Sequence, residues 1–265
     1  MVISSPHNPR VKHIIALRER RQRKRDGLMV VEGVDELTLA LDSGLKPAAA
    51  YYCPALFPKS GDSGLRSRLR ELGTELLEVE VRVFEKMAYR QNPDGWLATA
   101  PAPQWSLDDI VLGALPFLVV VEAVEKPGNL GAILRSADAA GVDAVILCDP
   151  AVDIGNPNVL RSSRGTVFSL RVAGATSRQA WEWLQARHIA IVAATPEAGQ
   201  PYTRVDLRGP VAVVVGAERP GLSSLWRGSP SITAGIPMRG RINSLNVAQA
   251  ATLFLFEVVR QRAGG

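Results

Sequence analysis

Four runs of apolar residues in the second half of the chain constrain the fold more than any other feature of the sequence. They read "FLVVVEAV", "DAVILCD", "IAIVAAT" and "VAVVVGAE", and none alternates between apolar and polar residues. Such runs are typical of strands in a parallel sheet that is covered on both faces. Helical patterns lie between them. The sequence therefore predicts an α/β domain whose ligand site lies where loops leave the carboxyl ends of the strands.

The first part of the chain predicts a separate, smaller α/β unit. Strands are expected at "LMVVEG", "AAAYYC", "ELLEVE" and "WLATA", and helices at "VDELTLALDSG" and "GLRSRLRELG". The stretch "PAPQWSLDDIVLGALP" has three prolines and little periodicity, which indicates a linker. The predicted division is a small domain at residues 1–105, a linker at 106–116 and a second domain at 117–265.

Composition favours a protein of the reducing cytoplasm. No apolar run reaches the length of a membrane-spanning helix, and the first residues contain no apolar signal segment. Cys53 and Cys148 lie far apart in the sequence and are expected to be free thiols. Because His7, His13 and His188 are scattered as well, the sequence predicts no metal site and no Cys–His nucleophile.

One short stretch accounts for the whole net charge of +5. Residues 18–25, "RERRQRKR", contain six basic residues and one acid, so the rest of the chain is balanced in charge. A solvated helix face would explain the stretch, and so would a surface that binds phosphates. The arginines favour the second hypothesis, because a guanidinium binds phosphate through two hydrogen bonds. The expected phosphate ligands are Arg18, Arg20, Arg21, Arg23, Lys24 and Arg25.

Three loops at strand ends contain more glycine and polar residues than a simple turn requires. The first, "EKPGNLGAILR", leads from a strand into a helix, where glycines allow close backbone approach and the helix start attracts anions. It does not have the G-x-G-x-x-G pattern of a dinucleotide site. The second, "GAERPGLS", places Glu218 at the end of a buried strand, either as a site residue or in a salt bridge with Arg135 or Arg219.

The third loop, "IPMRGRINSLNVAQA", precedes an apolar helix that is predicted to begin near Leu245. Ser244 or Asn243 is expected to cap this helix. Asn246 would then lie in the first turn, and its side chain would point into a cleft or bond to a neighbouring loop. The helix is apolar on almost every side, so it is expected to be buried.

Taken together, the motifs "NLGAILR", "VVVGAERPGLS" and "IPMRGRINSLNVAQAATLFLFE" resemble the SpoU/TrmH family of RNA ribose 2′-O-methyltransferases, in the SPOUT class. The resemblance spans about residues 117–262, and the N-terminal unit is similar to the ribosomal-protein-like RNA-binding domain of many members. It implies a deep trefoil knot, S-adenosylmethionine as cofactor and a homodimer. "NPNVLRSSRGTVFSL" is most similar to the ribosomal RNA branch, which includes avilamycin- and thiostrepton-resistance enzymes. One departure is Lys126, where many members have aspartate.

The resemblance also implies roles for individual residues. The implied catalytic residues are Arg135, Asn129, Glu218, Ser244 and Asn246. The implied cofactor-binding residues are Thr195, Gly216, Ile236, Met238, Ser244 and Leu245. Arg161 is implied as an RNA phosphate ligand. Arg135 would act as a general base or as a clamp on the RNA phosphate; we favour the clamp, with Glu218 holding it, because a guanidinium rarely loses its proton in a protein.

Three alternatives remain. A tRNA methyltransferase of the same family is disfavoured, because such members often have terminal extensions in place of the N-terminal unit. A catalytically idle RNA-binding or ribosome assembly factor is disfavoured by the intact motif residues. A nicotinamide-dependent oxidoreductase is disfavoured by the missing glycine fingerprint.

Overall fold

The computed structural model of the chain describes residues 2–59, 61–62, 64–228 and 231–264. It divides into two compact units. The first contains the residues up to Pro103 together with Asp153–Ser169, and the second contains Gln104–Val152 and Leu170–Gly265. The sequence-based division gave every residue from 117 onward to the second domain, so it did not anticipate that Asp153–Ser169 groups with the first unit.

The elements are numbered in chain order. The strands are β1 (Val2–Ile3), β2 (Leu28–Glu32), β3 (Ala49–Tyr52), β4 (Glu75–Val79), β5 (Trp96–Pro101), β6 (Phe117–Glu122), β7 (Ala144–Cys148), β8 (Val172–Ala175), β9 (Ala190–Ala194), β10 (Val211–Val215) and β11 (Ile232–Ala234). The α-helices are α1 (Pro9–Ala16), α2 (Arg20–Asp26), α3 (Val34–Asp42), α4 (Leu65–Glu71), α5 (Val81–Met87), α6 (Pro127–Ala139), α7 (Pro157–Ser163), α8 (Thr166–Ser169), α9 (Ser177–Ala186), α10 (Ser224–Arg227) and α11 (Val247–Ala263).

A mixed five-stranded sheet organises the first unit, with strand order β1–β4–β3–β5–β2. The four strands and two helices predicted for this region are all present. The two-residue strand β1 and the helices α1 and α5 were not predicted. Phe84, Met87 and Leu97 are buried in the core on one face of the sheet.

The segment Asp153–Ser169 completes the first unit. Its helix α7 packs against β2, and α8 packs against α3. Gly165 has a φ of +81°, and a Cβ at this position would lie 3.1 Å from Glu36 Cα. Only glycine combines that backbone conformation with so close an approach at low cost, so this residue helps the segment to lie flat on α3.

The second unit contains the predicted parallel sheet. Its strand order is β11–β9–β10–β6–β7–β8, and every pairing is parallel. All residues of β6, β7 and β10 are buried, as expected for strands covered on both faces. The predicted α/β class is therefore confirmed. The edge strands β8 and β11 were not predicted, because each is short and lacks an unbroken apolar run.

The strand order places a topological switch point between β6 and β10. From β6 the chain winds outward to β7 and β8, and then returns to the other side of β6 to form β9, β10 and β11. Loops leave the carboxyl ends of β6 and β10 in opposite directions, which opens a crevice at this point in parallel sheets. The first and second glycine-rich loops of the sequence lie at these two ends.

The predicted linker at 106–116 is not a free connection. Ile110 is 7% exposed and belongs to the core of the second unit, with Leu107 packed against it. Trp105, just before the segment, forms an isolated bridge with Ala173. The apolar side chains are spaced around a single 3₁₀ turn, which is too short to produce a periodic pattern, so this packing could not be predicted from periodicity.

Both cysteines are free thiols, as predicted, and the structure shows that both are buried. None of the helices in the described part of the chain is long and apolar enough to cross a membrane.

Candidate active site and RNA-binding surface

A buried carboxylate joins the elements around the switch point. Glu122, the last residue of β6, is 6% exposed. Its Oε1 accepts hydrogen bonds from the hydroxyls of Ser177 (2.9 Å) and Ser223 (2.7 Å), and its Oε2 accepts from the Ser223 N–H (2.8 Å). Ser177 lies at the start of α9, and Ser223 ends the glycine-rich loop after β10. Glu122 therefore anchors that loop to the sheet.

The backbone next to Glu122 adopts an uncommon conformation. Ala123 has a φ of 51°, in the left-handed region that non-glycine residues rarely occupy. Its N–H donates to the carbonyl of Cys148 at 2.9 Å, which holds the turn in place. Strained residues of this kind cluster at ligand sites, where the surrounding structure fixes them. The turn redirects the chain toward α6.

Three of the five predicted catalytic residues lie together at this crevice. The side-chain amide of Asn129 donates to Glu218 Oε1, and its oxygen accepts from Asn246 Nδ2 at 3.1 Å. Each of the three comes from a different glycine-rich loop of the sequence. The two contacts fix the orientation of the Asn129 amide, because one end must donate and the other must accept.

Asn246 also begins the last helix, which corrects the prediction for the third loop. Helix α11 starts at Val247 and Asn246 is its N-cap, accepting from the Ala248 N–H at 2.9 Å. Ser244 is exposed and contacts Asn243 at 3.5 Å, so it is not the cap. The expectation that Asn246 bonds to a neighbouring loop is correct, since its amide reaches Asn129. Asparagine suits both tasks, because its oxygen caps while its nitrogen donates.

Helices α6 and α11 pack side by side with their N-termini at the same end. Asn129 meets Asn246 near the two N-termini, and about two turns further on the hydroxyls of Ser136 and Thr252 are 2.7 Å apart. Parallel helices direct the positive ends of two dipoles at one place. The crevice therefore favours groups with negative or developing negative charge.

Arg135 lies two turns into α6, between these two contacts, and its side chain is exposed. Within the described residues it makes no ion pair within 4.0 Å, and Glu218 bonds to Asn129 instead. The predicted salt bridges from Glu218 to Arg135 or Arg219 are therefore absent from the described part of the chain. The Arg135 guanidinium is therefore available to an external anion.

Two of the predicted cofactor loops, those after β9 and β11, contact each other. The Thr195 N–H donates to the Ala234 carbonyl at 3.0 Å, so this N–H is not available to a ligand. A Cβ at Gly235 would lie 3.0 Å from the Thr195 carbonyl oxygen, and one at Gly216 would lie 2.6 Å from the Gly221 carbonyl carbon. The glycines allow these loops to pack backbone against backbone.

The side chains along these loops fit a ligand of mixed polarity. Ile236, Met238 and Leu245 are half-buried, whereas Ser244 is exposed. Apolar side chains with a few polar backbone groups are the usual lining of a small-molecule pocket. No group of three or more His, Cys, Asp and Glu side chains that could hold a metal ion occurs among the described residues.

The basic stretch at residues 18–25 is only partly available to phosphate. Arg23 is 6% exposed, and its guanidinium forms a two-bond ion pair with Asp153, at 2.9 and 2.7 Å, besides donating to two carbonyls. Arg23 is therefore a structural residue, which corrects its assignment as a phosphate ligand. Arg18 is half-buried, and its Nη2 donates to the carbonyls of residues 86–88.

The remaining predicted cations face outward. Arg20, Arg21, Lys24, Arg25 and Arg161 are exposed. Arg20 lies 3.8 Å from Asp153, and Arg25 pairs with Asp26 at 3.0 Å.

The sequence analysis did not identify two further exposed arginines, Arg239 and Arg241 of the third loop. It also missed Glu122, although an acid that ends an apolar strand is the same signal that identified Glu218.

Two known domain families match separate parts of the chain. Residues 116–256 match the SpoU rRNA Methylase family, and residues 8–98 match the MRM3-like substrate binding domain. A 23S rRNA (uridine(2479)-2'-O)-methyltransferase of Streptomyces viridochromogenes is 32% identical over 94% of this chain and 88% of its own length.

Two solved structures are similar over nearly the whole chain. The AdoMet-bound rRNA methyltransferase from Sinorhizobium meliloti is 30% identical and has a TM-score of 0.89, over 98% of this chain and 97% of that one. The SpoU methyltransferase AviRb from Streptomyces viridochromogenes, in complex with AdoMet, is 31% identical and has a TM-score of 0.86, over 97% and 100%.

Proposed function

The chain belongs to the SpoU rRNA methylase family, and we propose that it transfers a methyl group from S-adenosylmethionine to a ribose 2′-hydroxyl of 23S ribosomal RNA. The observation that carries the proposal is the cluster of Asn129, Glu218 and Asn246 at the switch point, with Arg135 on the same helix as Asn129. The names of relatives that align over most of their length support ribosomal RNA as the substrate.

The chemistry requires alignment and help with one proton. S-adenosylmethionine supplies an electrophilic methyl group on a sulfonium, and the ribose oxygen must approach it in line with the carbon–sulfur bond. The residues at the crevice must therefore hold the hydroxyl in one orientation and favour the negative charge that develops on its oxygen. Two helix N-termini and a guanidinium provide that charge environment.

Each residue of the cluster has a part in this proposal. Arg135 grips the phosphate next to the target ribose, because its side chain is exposed. Asn129 uses its second N–H to orient the ribose oxygen, while the bonds to Glu218 and Asn246 keep its amide fixed. Ser244 is exposed at the same loop and adds a hydroxyl contact. Glu218 holds Asn129 rather than Arg135, so Arg135 is positioned by the RNA itself.

The cofactor would be held by the loops after β9, β10 and β11. Ile236, Met238 and Leu245 would pack on its apolar parts, and the backbone at Gly216 and the carbonyl of Thr195 would bind its polar edge. The trefoil knot implied by the family resemblance belongs to this proposal, since it would bring these same loops together.

A homodimer is part of the proposal. Helix α11 is apolar, yet Leu253 and Phe256 on it are 38% and 44% exposed. Large apolar side chains on one helix face favour burial against a second copy of the chain. We propose further that the protein acts in the cytoplasm, where two free thiols are stable, and that Arg20, Arg21, Lys24 and Arg25 bind RNA phosphates.

Equilibrium binding of S-adenosylmethionine and of NAD to the purified protein tests the class of enzyme. We expect saturable binding of S-adenosylmethionine and none of NAD at the same concentration. Binding of NAD alone would contradict the proposal and favour an oxidoreductase.

A further inference from the structure

A cleft in the first unit combines charge, an aromatic ring and an apolar floor. Its floor is formed by buried side chains of α1, α5 and α7, and its rim by three arginines and a tyrosine. The lining includes Ile14, Arg18, Tyr89, Arg90, Leu160 and Arg161. We refer to it as the Arg161 cleft. It lies wholly within the first unit, because Leu160 and Arg161 belong to the segment Asp153–Ser169.

Two of the three rim arginines, Arg18 and Arg161, form no ion pair among the described residues, although the Glu32 carboxylate also lines the cleft and accepts from the Tyr89 and Arg90 N–H groups. Arg161 is exposed and makes no ion pair within 4.0 Å in the part of the chain that the structure describes. Arg18 donates through Nη2 to three carbonyls, at 2.7 to 3.1 Å, which fixes its guanidinium without neutralising it. Arg90 pairs with Glu36. Two unneutralised guanidiniums on one rim suit a phosphate, which arginine binds through two hydrogen bonds.

Tyr89 places an aromatic ring at the same rim. It is 41% exposed. Its backbone is fixed, since the N–H groups of Tyr89 and Arg90 donate to the Glu32 carboxylate at 2.7 and 3.1 Å. An exposed ring on a fixed backbone segment offers a face against which a flat ligand can stack.

We propose that the Arg161 cleft binds one unpaired nucleotide of the RNA substrate, with the base stacked on Tyr89 and a neighbouring phosphate held by Arg161 and Arg18. Unpaired bases expose a face that an aromatic side chain can cover, whereas bases inside a duplex are already stacked on both faces. The cleft thus selects RNA with a loop, bulge or single-stranded segment. This inference rests on the proposed function, because it takes RNA as the ligand, but it concerns a different unit from the one that holds the catalytic cluster.

Fluorescence of 2-aminopurine in a short oligoribonucleotide tests the proposal. The base analogue is placed in a single-stranded oligomer. For comparison, it is also placed in the stem of a hairpin that contains the same sequence. With the full-length protein we expect quenching of the single strand and none of the stem. Tyr89→Ala should weaken single-strand binding by about 5- to 100-fold, and Tyr89→Phe should bind like the wild type, because stacking needs the ring and not the hydroxyl.

Arg161→Ala should weaken binding and should lower the slope of log affinity against log salt by about one, the signature of one lost phosphate contact. The matched control is Arg178→Ala, an exposed arginine paired with Glu182 outside the cleft, which should change neither quantity. Thermal unfolding of each variant checks that it is folded.

Unchanged single-strand affinity in folded Tyr89→Ala would overturn the cleft proposal, and so would equal competition by an acidic peptide. Methyl transfer to ribosomal RNA is measured in parallel on the wild type. If the wild type transfers methyl groups but 2-aminopurine is not quenched, the proposed function stands and the cleft proposal fails. If 2-aminopurine is quenched but no methyl group is transferred, the cleft proposal is supported and the proposed enzymatic activity is contradicted.

Discussion

Replacement of Glu122 should loosen the glycine-rich loop that carries Glu218. The Glu122 carboxylate is 6% exposed and accepts three hydrogen bonds of 2.7 to 2.9 Å from Ser177 and Ser223. In Glu122→Ala, the Ser223 N–H and hydroxyl lose their acceptor, whereas the Ser177 hydroxyl can still donate to Asp149 Oδ2 at 2.7 Å. In Glu122→Gln, the amide oxygen can still accept from the Ser223 N–H, and the serine hydroxyls can rotate to accept from the amide nitrogen.

The size of the effect follows from these contacts. A hydrogen bond to a charged group contributes about 1.5–3 kcal/mol, but Ser223 is exposed and can bond to water instead once Glu122 is removed. We therefore expect Glu122→Ala to lower the free energy of unfolding of the second unit by about 3–4 kcal/mol, and Glu122→Gln by about 1–2 kcal/mol. At roughly 2–4 °C per kcal/mol, the alanine variant should lose about 10 °C in Tm and the glutamine variant about 4 °C.

Differential scanning calorimetry and methyl transfer measure the two consequences. Because Glu122 positions the loop of Glu218 without touching RNA, kcat should fall more than tenfold in Glu122→Ala, while glutamine restores most of it. Glu182→Ala is the control, since Glu182 is an exposed acid of the same unit, paired with Arg178; its Tm should move by less than about 2 °C. A Glu122→Ala variant whose Tm and kcat match those of this control would show that Glu122 does not anchor the loop.

Four further predictions follow from single residues. Arg135→Ala should bind S-adenosylmethionine normally but lose at least about 100-fold in methyl transfer, by filter assay; a near-normal rate would remove Arg135 from the mechanism. Phe256→Arg should yield monomers by light scattering if α11 forms the dimer interface; a wild-type dimer that persists in the variant would exclude that face. Burial raises the pKa of the Cys148 thiol to about 12, so iodoacetamide should leave it unmodified in the native protein at pH 8; rapid alkylation would contradict its burial. Hydrogen bonds from His13, then Arg25 and Gln22, lower the pKa of Asp26 to about 2; Asp26→Asn should therefore destabilise the protein above about pH 4 but not near pH 2, and an equal loss at both would oppose this.

The sheet of the second unit could be predicted because its signal is local. An unbroken run such as "VAVVVGAE" is apolar at every position only when both faces are covered. The edge strands β8 and β11 are covered on fewer sides, so their residues carry no comparable pattern. The grouping of the segment Asp153–Ser169 with the first unit could not be predicted for a related reason: its packing on α3 and β2 depends on contacts far apart in the sequence.

Within the candidate site, the loops were predictable and the pairings were not. Glycine and polar residues at strand ends identified Asn129, Glu218 and Asn246 without any coordinates. Which of them bond to one another depends on how β6, β10 and α11 come together, and Glu218 proved to hold Asn129 rather than Arg135. Likewise, the composition of residues 18–25 suggested uniform phosphate binding, whereas Arg23 is buried against Asp153. Charge in a sequence does not reveal which cations are already neutralised.

The proposed reaction itself is measured by transfer of labelled methyl from S-adenosylmethionine to unmodified total RNA, followed by nucleoside analysis. We expect label on the ribose 2′-oxygen of a nucleotide of 23S ribosomal RNA, and none with Arg135→Ala. The proposed function would be contradicted by label on a base or by label confined to tRNA. It would also be contradicted if a protein that binds the cofactor transferred no methyl group to naked RNA or to ribosomal subunits.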